Sequence, residues 1–122
     1  MANILLVDDE EQLRNLLKFV LESAGHSVCE AADGNEALAS YRRIPADLVV
    51  TDIIMPNKEG TETILEFRRL SRDVKIVAMS GGGRNGSQDY LKLAKSFGAN
   101  LTLAKPFTNQ EFLDAINAAL EL

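Results

Sequence analysis

Two runs of consecutive apolar residues organise the chain, Ile4-Leu5-Leu6-Val7 and Leu48-Val49-Val50, and carboxylates follow each: Asp8-Asp9 after the first, Asp52 after the second. Apolar positions without alternation suit strands buried on both faces, as in a parallel sheet covered by helices. An acid is out of place in the middle of such a strand. At its carboxyl end it faces the crevice where open α/β sheets bind ligands. Pro56 lacks an N–H and disfavours helix at Met55, so the backbone leaves the sheet there as a loop.

Between these runs the period lengthens. Leu13, Leu16, Leu17, Val20, Leu21 and Ala24 recur at helical spacing behind an acidic start that complements the helix dipole, and Gly25 ends the element. Ser27 to Ala31 predicts a short strand with Val28 as its core residue. Asp33 to Glu36 has the Asp-x-x-Glu form of a helix start, followed by Ala37, Leu38 and Tyr41 on one face and closed by Pro45. After the central strand, Asn57 to Gly60 reads as a turn and about Thr61 to Ser71 as a helix with Ile64, Phe67 and Leu70 inward. Val74 to Met79 is another buried strand, and Gly81 to Gly86 is the stretch richest in breakers. Tyr90, Leu91, Ala94 and Phe97 mark a fourth helix that Gly98 ends. Leu101 to Ala104 is a last strand, and Thr108 to Glu111 a capping box opening a helix with Phe112, Leu113, Ile116 and Leu120. Five strands alternating with five helices predict an α/β fold with a parallel sheet and right-handed crossovers. Fold precedent then supplies the flavodoxin-like (βα)5 three-layer sandwich with strand order 2-1-3-4-5. With no internal boundary, repeat or linker, residues 1–122 are expected to form a single domain with no output domain in this chain, acting alone or as part of something longer.

Composition narrows the function classes. A formal charge of −5 argues against direct nucleic-acid binding, which selects a basic face. No apolar run reaches the roughly 20 residues that span a bilayer, and the first residues lack a basic signal-peptide region, so no membrane role and a cytoplasmic location are expected. Cys29, the only cysteine, is expected to be a small buried side chain. His26 is expected to be solvent-exposed in a helix-to-strand turn. The doublets Arg42-Arg43 and Arg68-Arg69 are expected on solvated helix faces.

With the first and third strands side by side at roughly 5 Å, Asp8, Asp9 and Asp52 fall into one acidic pocket. Carboxylates that close repel, and protonation or a divalent cation relieves them. Hard oxygen ligands with room for water suit Mg2+. Ser80 and Lys105 stand at two further strand ends, adding a hydroxyl and an ammonium. Taken singly, Asp8 and Asp9 also read as a helix start, Lys105 as a surface lysine and Ser80 as a loop serine. Together they make a site for a phosphoryl group, in which a free carboxylate attacks phosphorus.

Val7-Asp8-Asp9-Glu10, Thr51-Asp52-Ile53-Ile54-Met55-Pro56, Met79-Ser80-Gly81 and Lys105-Pro106-Phe107-Thr108 together resemble the signature of the response-regulator receiver domain of two-component signalling, chemotaxis-regulator-like, over residues 3–121. The resemblance implies that Asp52 accepts a phosphoryl group from a sensor histidine kinase or a histidine phosphotransfer protein. It implies Mg2+, with Mn2+ as a substitute, held by Asp9, Asp52 and the Ile54 carbonyl, and by Asp8 through water. Lys105 would pair with a phosphoryl oxygen, held by a cis peptide to Pro106. Ser80 would move toward the phosphoryl group, switching the surface of the fourth helix, fifth strand and fifth helix. Such a protein catalyses only its own phosphorylation and dephosphorylation, acts on a downstream protein, and is a monomer or a phosphorylation-dependent dimer. Its donor is expected to be chosen mainly on the first helix, where Gln12, Arg14, Asn15 and Lys18 lie.

Three features depart from the commonest receiver pattern. The slot three residues before Lys105, often aromatic, holds Thr102, so serine-to-aromatic coupling cannot operate as such. Ile54 and Gly82 flank the approach of an attacking water, so self-dephosphorylation is expected to be altered. The Gly81–Gly86 loop is longer than typical, and is expected to order only on phosphorylation because restraining glycines is costly. The alternatives are a phosphorylation-silent interaction module, a haloacid-dehalogenase-type phosphatase and a flavin module. The phosphatase needs two acids two residues apart, whereas Asp8 and Asp9 are adjacent. A flavin phosphate would be repelled by the acids.

Overall fold

The computed structural model describes residues 2–53, 60–80, 92 and 94–122. Its strands are β1 (Asn3–Val7), β2 (Ser27–Ala31), β3 (Leu48–Asp52), β4 (Lys75–Ser80) and β5 (Leu101–Ala104), all parallel, in the order β2-β1-β3-β4-β5. The helices among the described residues are α1 (Glu11–Ser23), α2 (Gly34–Arg43), α3 (Gly60–Leu70) and α4 (Asn109–Leu120), with residues 94–97 also helical. The expected sheet and its order are thus observed. The turn after Ile53, the Gly81–Gly86 loop, Tyr90 and Leu91 lie outside the described residues.

Alternate residues of the central strands feed two apolar cores, which is why these strands show no polar face. Leu5, Val7, Val49, Ile76 and Ala78 pack with Ala37, Leu38 and Tyr41 of α2, Ile64 and Phe67 of α3, and Ala94. Ile4, Leu6, Leu48, Val50, Val77 and Met79 pack with Leu17, Val20 and Leu21 of α1 and Phe112, Ile116 and Ala119 of α4. The helix boundaries follow local chemistry. The Asp33 side chain accepts from Glu36 N at 2.9 Å, and Thr108 and Glu111 form a reciprocal capping box. Gly25 (φ 96°) and Gly98 (φ 125°) end their helices in the left-handed region that favours glycine.

Several expectations fail where tertiary position overrides pattern. Cys29 is exposed, not buried: β2 is an edge strand, and Cys29 lines an open groove with Ser40, Ile44, Pro45 and Ala46. Leu70 is 43% exposed at the last residue of α3, beyond the covering layer, Leu16 faces outward on α1, and Ala24 is exposed at the C-cap just past its end. His26 is half-buried, with Nδ1 accepting from Ala2 N at 3.3 Å. Arg68 does not occupy a solvated face. Its guanidinium donates to the carbonyls of Val74 (2.6 Å), Gly98 (3.0 Å), Arg72 (3.2 Å) and Ser71 (3.4 Å) and to Asn100 Oδ1 (2.7 Å). One side chain thereby satisfies carbonyls at the end of α3 and joins them to the entry of β5.

Candidate functional site

Register brings the chemistry together. Val7 pairs with Thr51, so Asp8 and Asp52 leave adjacent strands at the same level. Asp52 pairs with Met79, which places Ser80 one step beyond, and Ser80 pairs with Ala104, which places Lys105 next. The Lys105 N–H extends that ladder to Ser80 O at 2.8 Å. The Lys105-Pro106 peptide is cis, as expected. Phe107 stacks on Phe112 at 5.6 Å between ring centroids, fixing the segment that carries Lys105 onto α4.

One carboxylate oxygen from each of Asp8, Asp9 and Asp52 lies within 4.8 Å of the others. Asp8 is fully buried, Asp52 is 7% exposed and Asp9 is exposed. The Lys105 ammonium sits against two of them, 3.0 Å from Asp52 Oδ2 and 3.3 Å from Asp8 Oδ2. Burial on its own would lower the affinity of Lys105 for its proton. The Asp52 and Asp8 carboxylates, through charge and hydrogen bonding, outweigh it and hold the group above the ordinary lysine value of 10.5. Lys105 therefore carries its charge at neutral pH. Three carboxylates against one ammonium leave two formal negative charges, the charge that one divalent cation supplies. Oxygen donors of this kind suit Mg2+ or Mn2+.

Ser80 Oγ is buried and has no hydrogen-bond partner among the described residues. A buried hydroxyl in that state is costly unless a ligand completes it, and this one lies at the end of the strand next to Asp52. Thr102 is half-buried in β5, paired with Ala78. Beside Lys105 an open pocket of about 230 Å³ is lined by Leu13, Pro106 and Phe107. Of the expected site residues, Asp8, Asp9, Asp52, Ser80 and Lys105 assemble on one rim of the sheet, and Ile54 lies outside the described residues.

Sequence reasoning missed Arg14 and Glu30, or misassigned them. Arg14 stands on α1, yet Nη1 donates to Asp8 O at 2.7 Å and Nε to Glu30 Oε1 at 3.2 Å. The available signal was Glu30, an acid inside a strand, which calls for a cation from the neighbouring helix.

A family model described as the response regulator receiver domain matches residues 4–117. The chain is 35% identical over 117 residues to the chemotaxis protein CheY of Halobacterium salinarum, covering 96% of this chain and 95% of that protein. In structure it is similar to Vibrio cholerae CheY4, with a TM-score of 0.87, 30% identity and 98% of each chain covered. NtrX of Brucella abortus superposes with a TM-score of 0.91 at 30% identity over 98% of this chain, which spans 27% of that longer one. No helix among the described residues is long and apolar enough to cross a membrane. The family match runs through every strand that contributes an acid, the serine or the lysine, and on that ground the chain belongs to the response regulator receiver domain family.

Proposed function

We propose that residues 1–122 form one receiver domain in which Asp52 takes a phosphoryl group from the phosphohistidine of a sensor histidine kinase or a histidine phosphotransfer protein, in a Mg2+-dependent reaction. Receiver domains are phosphorylation-activated signalling switches rather than turnover enzymes. The observation that carries the reading is Lys105, whose ammonium lies 3.0 Å from Asp52 and 3.3 Å from Asp8 at the edge of a three-carboxylate cluster. The family resemblance adds the assignment of Asp9, Asp52 and the Ile54 carbonyl as cation ligands, with Asp8 acting through water. A cation there would offset the charge of the phosphoryl oxygens.

In the reaction an Asp52 carboxylate oxygen attacks phosphorus on the side opposite the donor nitrogen. The O–P bond forms as the P–N bond breaks, and the electron pair leaves on the imidazole, which is neutral once it has the proton it carried or takes one from solvent. Lys105 exchanges its bond to Asp52 for one to a phosphoryl oxygen, and Ser80 Oγ, buried beside Asp52, donates to another. Ser80 and Lys105 leave neighbouring strands, so their movement is passed to β5, where Thr102 lies, to the helical residues 94–97 and to α4. That surface is the output of the switch.

The test is incubation with a small-molecule phosphodonor and Mg2+, read by intact mass. One phosphoryl group gained by the wild type, and none by Asp52→Asn or in chelator, is the expected result. A folded wild type that gains none refutes the assignment.

A further inference from the structure

Arg14 belongs to the helix that would face a phosphodonor, but its side chain is only 17% exposed and its guanidinium turns toward the main chain of Asp8. Nη1 donates to the main-chain oxygen of Asp8 at 2.7 Å, while Nε meets Glu30 Oε1 at 3.2 Å. The other Glu30 oxygen accepts from Lys18 Nζ at 3.2 Å. Glu30 precedes Ala31, whose carbonyl accepts from Asp8 N at 3.1 Å. Asp8 is thus held at its N–H by β2, at its carbonyl by Arg14, at Oδ1 by Glu10 N (2.9 Å) and at Oδ2 by Lys105.

The carbonyl that Arg14 grips belongs to the Asp8–Asp9 peptide. A peptide unit is planar, so fixing that oxygen fixes the direction in which the chain enters Asp9. Asp9 is the exposed member of the cluster, and burial does not set its place. We propose that Arg14 is a positioning residue for the cation site: it clamps the Asp8–Asp9 peptide so that the Asp9 carboxylate stays within reach of Asp8 and Asp52, and Glu30 holds the clamp. The proposal rests on the reading of that cluster as a Mg2+ site.

Two effects of removing Arg14 oppose each other. Loss of its positive charge favours a cation, and loss of the clamp disfavours it. Because Glu30 already pairs with Arg14, the charge effect is small and positioning wins. Lysine cannot substitute, since a single ammonium does not reproduce a planar fork that reaches a carbonyl and a carboxylate together.

The experiment measures Mg2+ binding by titration calorimetry, without phosphodonor, on the full chain. Arg14→Lys keeps the charge, and the double variant Arg14→Ala/Glu30→Ala keeps the charge balance. Both are expected to bind Mg2+ about tenfold more weakly than wild type, the scale of lost support behind metal ligands. In Mg2+-free protein both are expected to show faster hydrogen exchange at the Glu10 amide, which bonds Asp8 Oδ1. Arg68→Ala, a destabilising change away from the site, is expected to keep wild-type Mg2+ affinity, separating positioning from general loosening. A wild type that binds Mg2+ with both Arg14 variants binding equally overturns the proposal alone. A wild type that binds no Mg2+ overturns the cation reading and the proposal with it.

Discussion

Replacing Lys105 by methionine keeps most of the side-chain volume and removes the charge that stands between Asp8 and Asp52. The two carboxylates it leaves are 0% and 9% exposed at the side chain, and the lysine is 18% exposed. Breaking a fully buried pair by deleting one partner costs about 3–5 kcal/mol. Asp9 opens this cluster to water, which screens part of the charge, so about 2–3 kcal/mol is expected. A domain with typical stability of roughly 5–15 kcal/mol survives that loss. The assay is urea unfolding followed by far-ultraviolet circular dichroism, since the chain has no tryptophan. With a slope of about 1–3 kcal/mol per molar urea, the midpoint at pH 7 in chelator should fall by roughly 1–2 M. Mg2+ should narrow the gap, because the variant's carboxylates bind it without a competing ammonium, and at saturating Mg2+ each tenfold by which the variant binds tighter than wild type closes about 1.4 kcal/mol of the difference. The pH dependence has a definite sign. Folding raises the Lys105 pKa above 10.5, so its contribution is complete below that value and is lost as pH rises through the folded one. The gap between wild type and variant should therefore persist at neutral pH and close as the solution becomes strongly alkaline. A Lys105→Met midpoint at or above wild type in chelator at pH 7 refutes the reasoning.

Arg68→Ala should cost about 2–3 kcal/mol in urea unfolding, since it strips charge-assisted hydrogen bonds from half-buried carbonyls, and Arg68→Lys should recover less than half of it. Gly98→Ala should cost more than about 1 kcal/mol, because φ is 125° and the new Cβ would stand 2.7 Å from Arg68 Cγ; in an Arg68→Ala background the clash is gone and the penalty should shrink. Thr108→Ala should lower stability by about 1 kcal/mol through loss of the capping box, read as a shifted urea midpoint. Ile54→Asn should change the lifetime of the Asp52 acyl phosphate, followed by intact mass after the phosphodonor is removed, and an unchanged lifetime would sink the role given to Ile54.

Much of the architecture was legible in local chemistry. Strands buried on both faces need consecutive apolar residues, so β1 and β4 announced themselves within a residue of their observed limits, while the apolar run Leu48–Val50 marked the start of β3, which continues through Thr51 to Asp52. The Asp33 and Thr108 caps and the Gly25 and Gly98 stops each depend on neighbours a few residues away. The acids, the serine and the lysine were recognisable because each ends a strand, as Asp52 and Ser80 do, or follows one, as Asp8, Asp9 and Lys105 do. Their assembly was not contained in any one segment. Lys105 meets Asp52 across 53 residues of sequence and Asp8 across 97, a meeting that exists only because β3 lies between β1 and β4 and β5 lies beside β4. The same strand order placed β2 at an edge and so exposed Cys29. It also set Arg14 opposite Glu30, and Arg68 reached Gly98 and Asn100 across the packing of distant elements. Periodicity reports which side of an element is apolar, whereas the partner of a long charged side chain is set by what the fold brings within its reach.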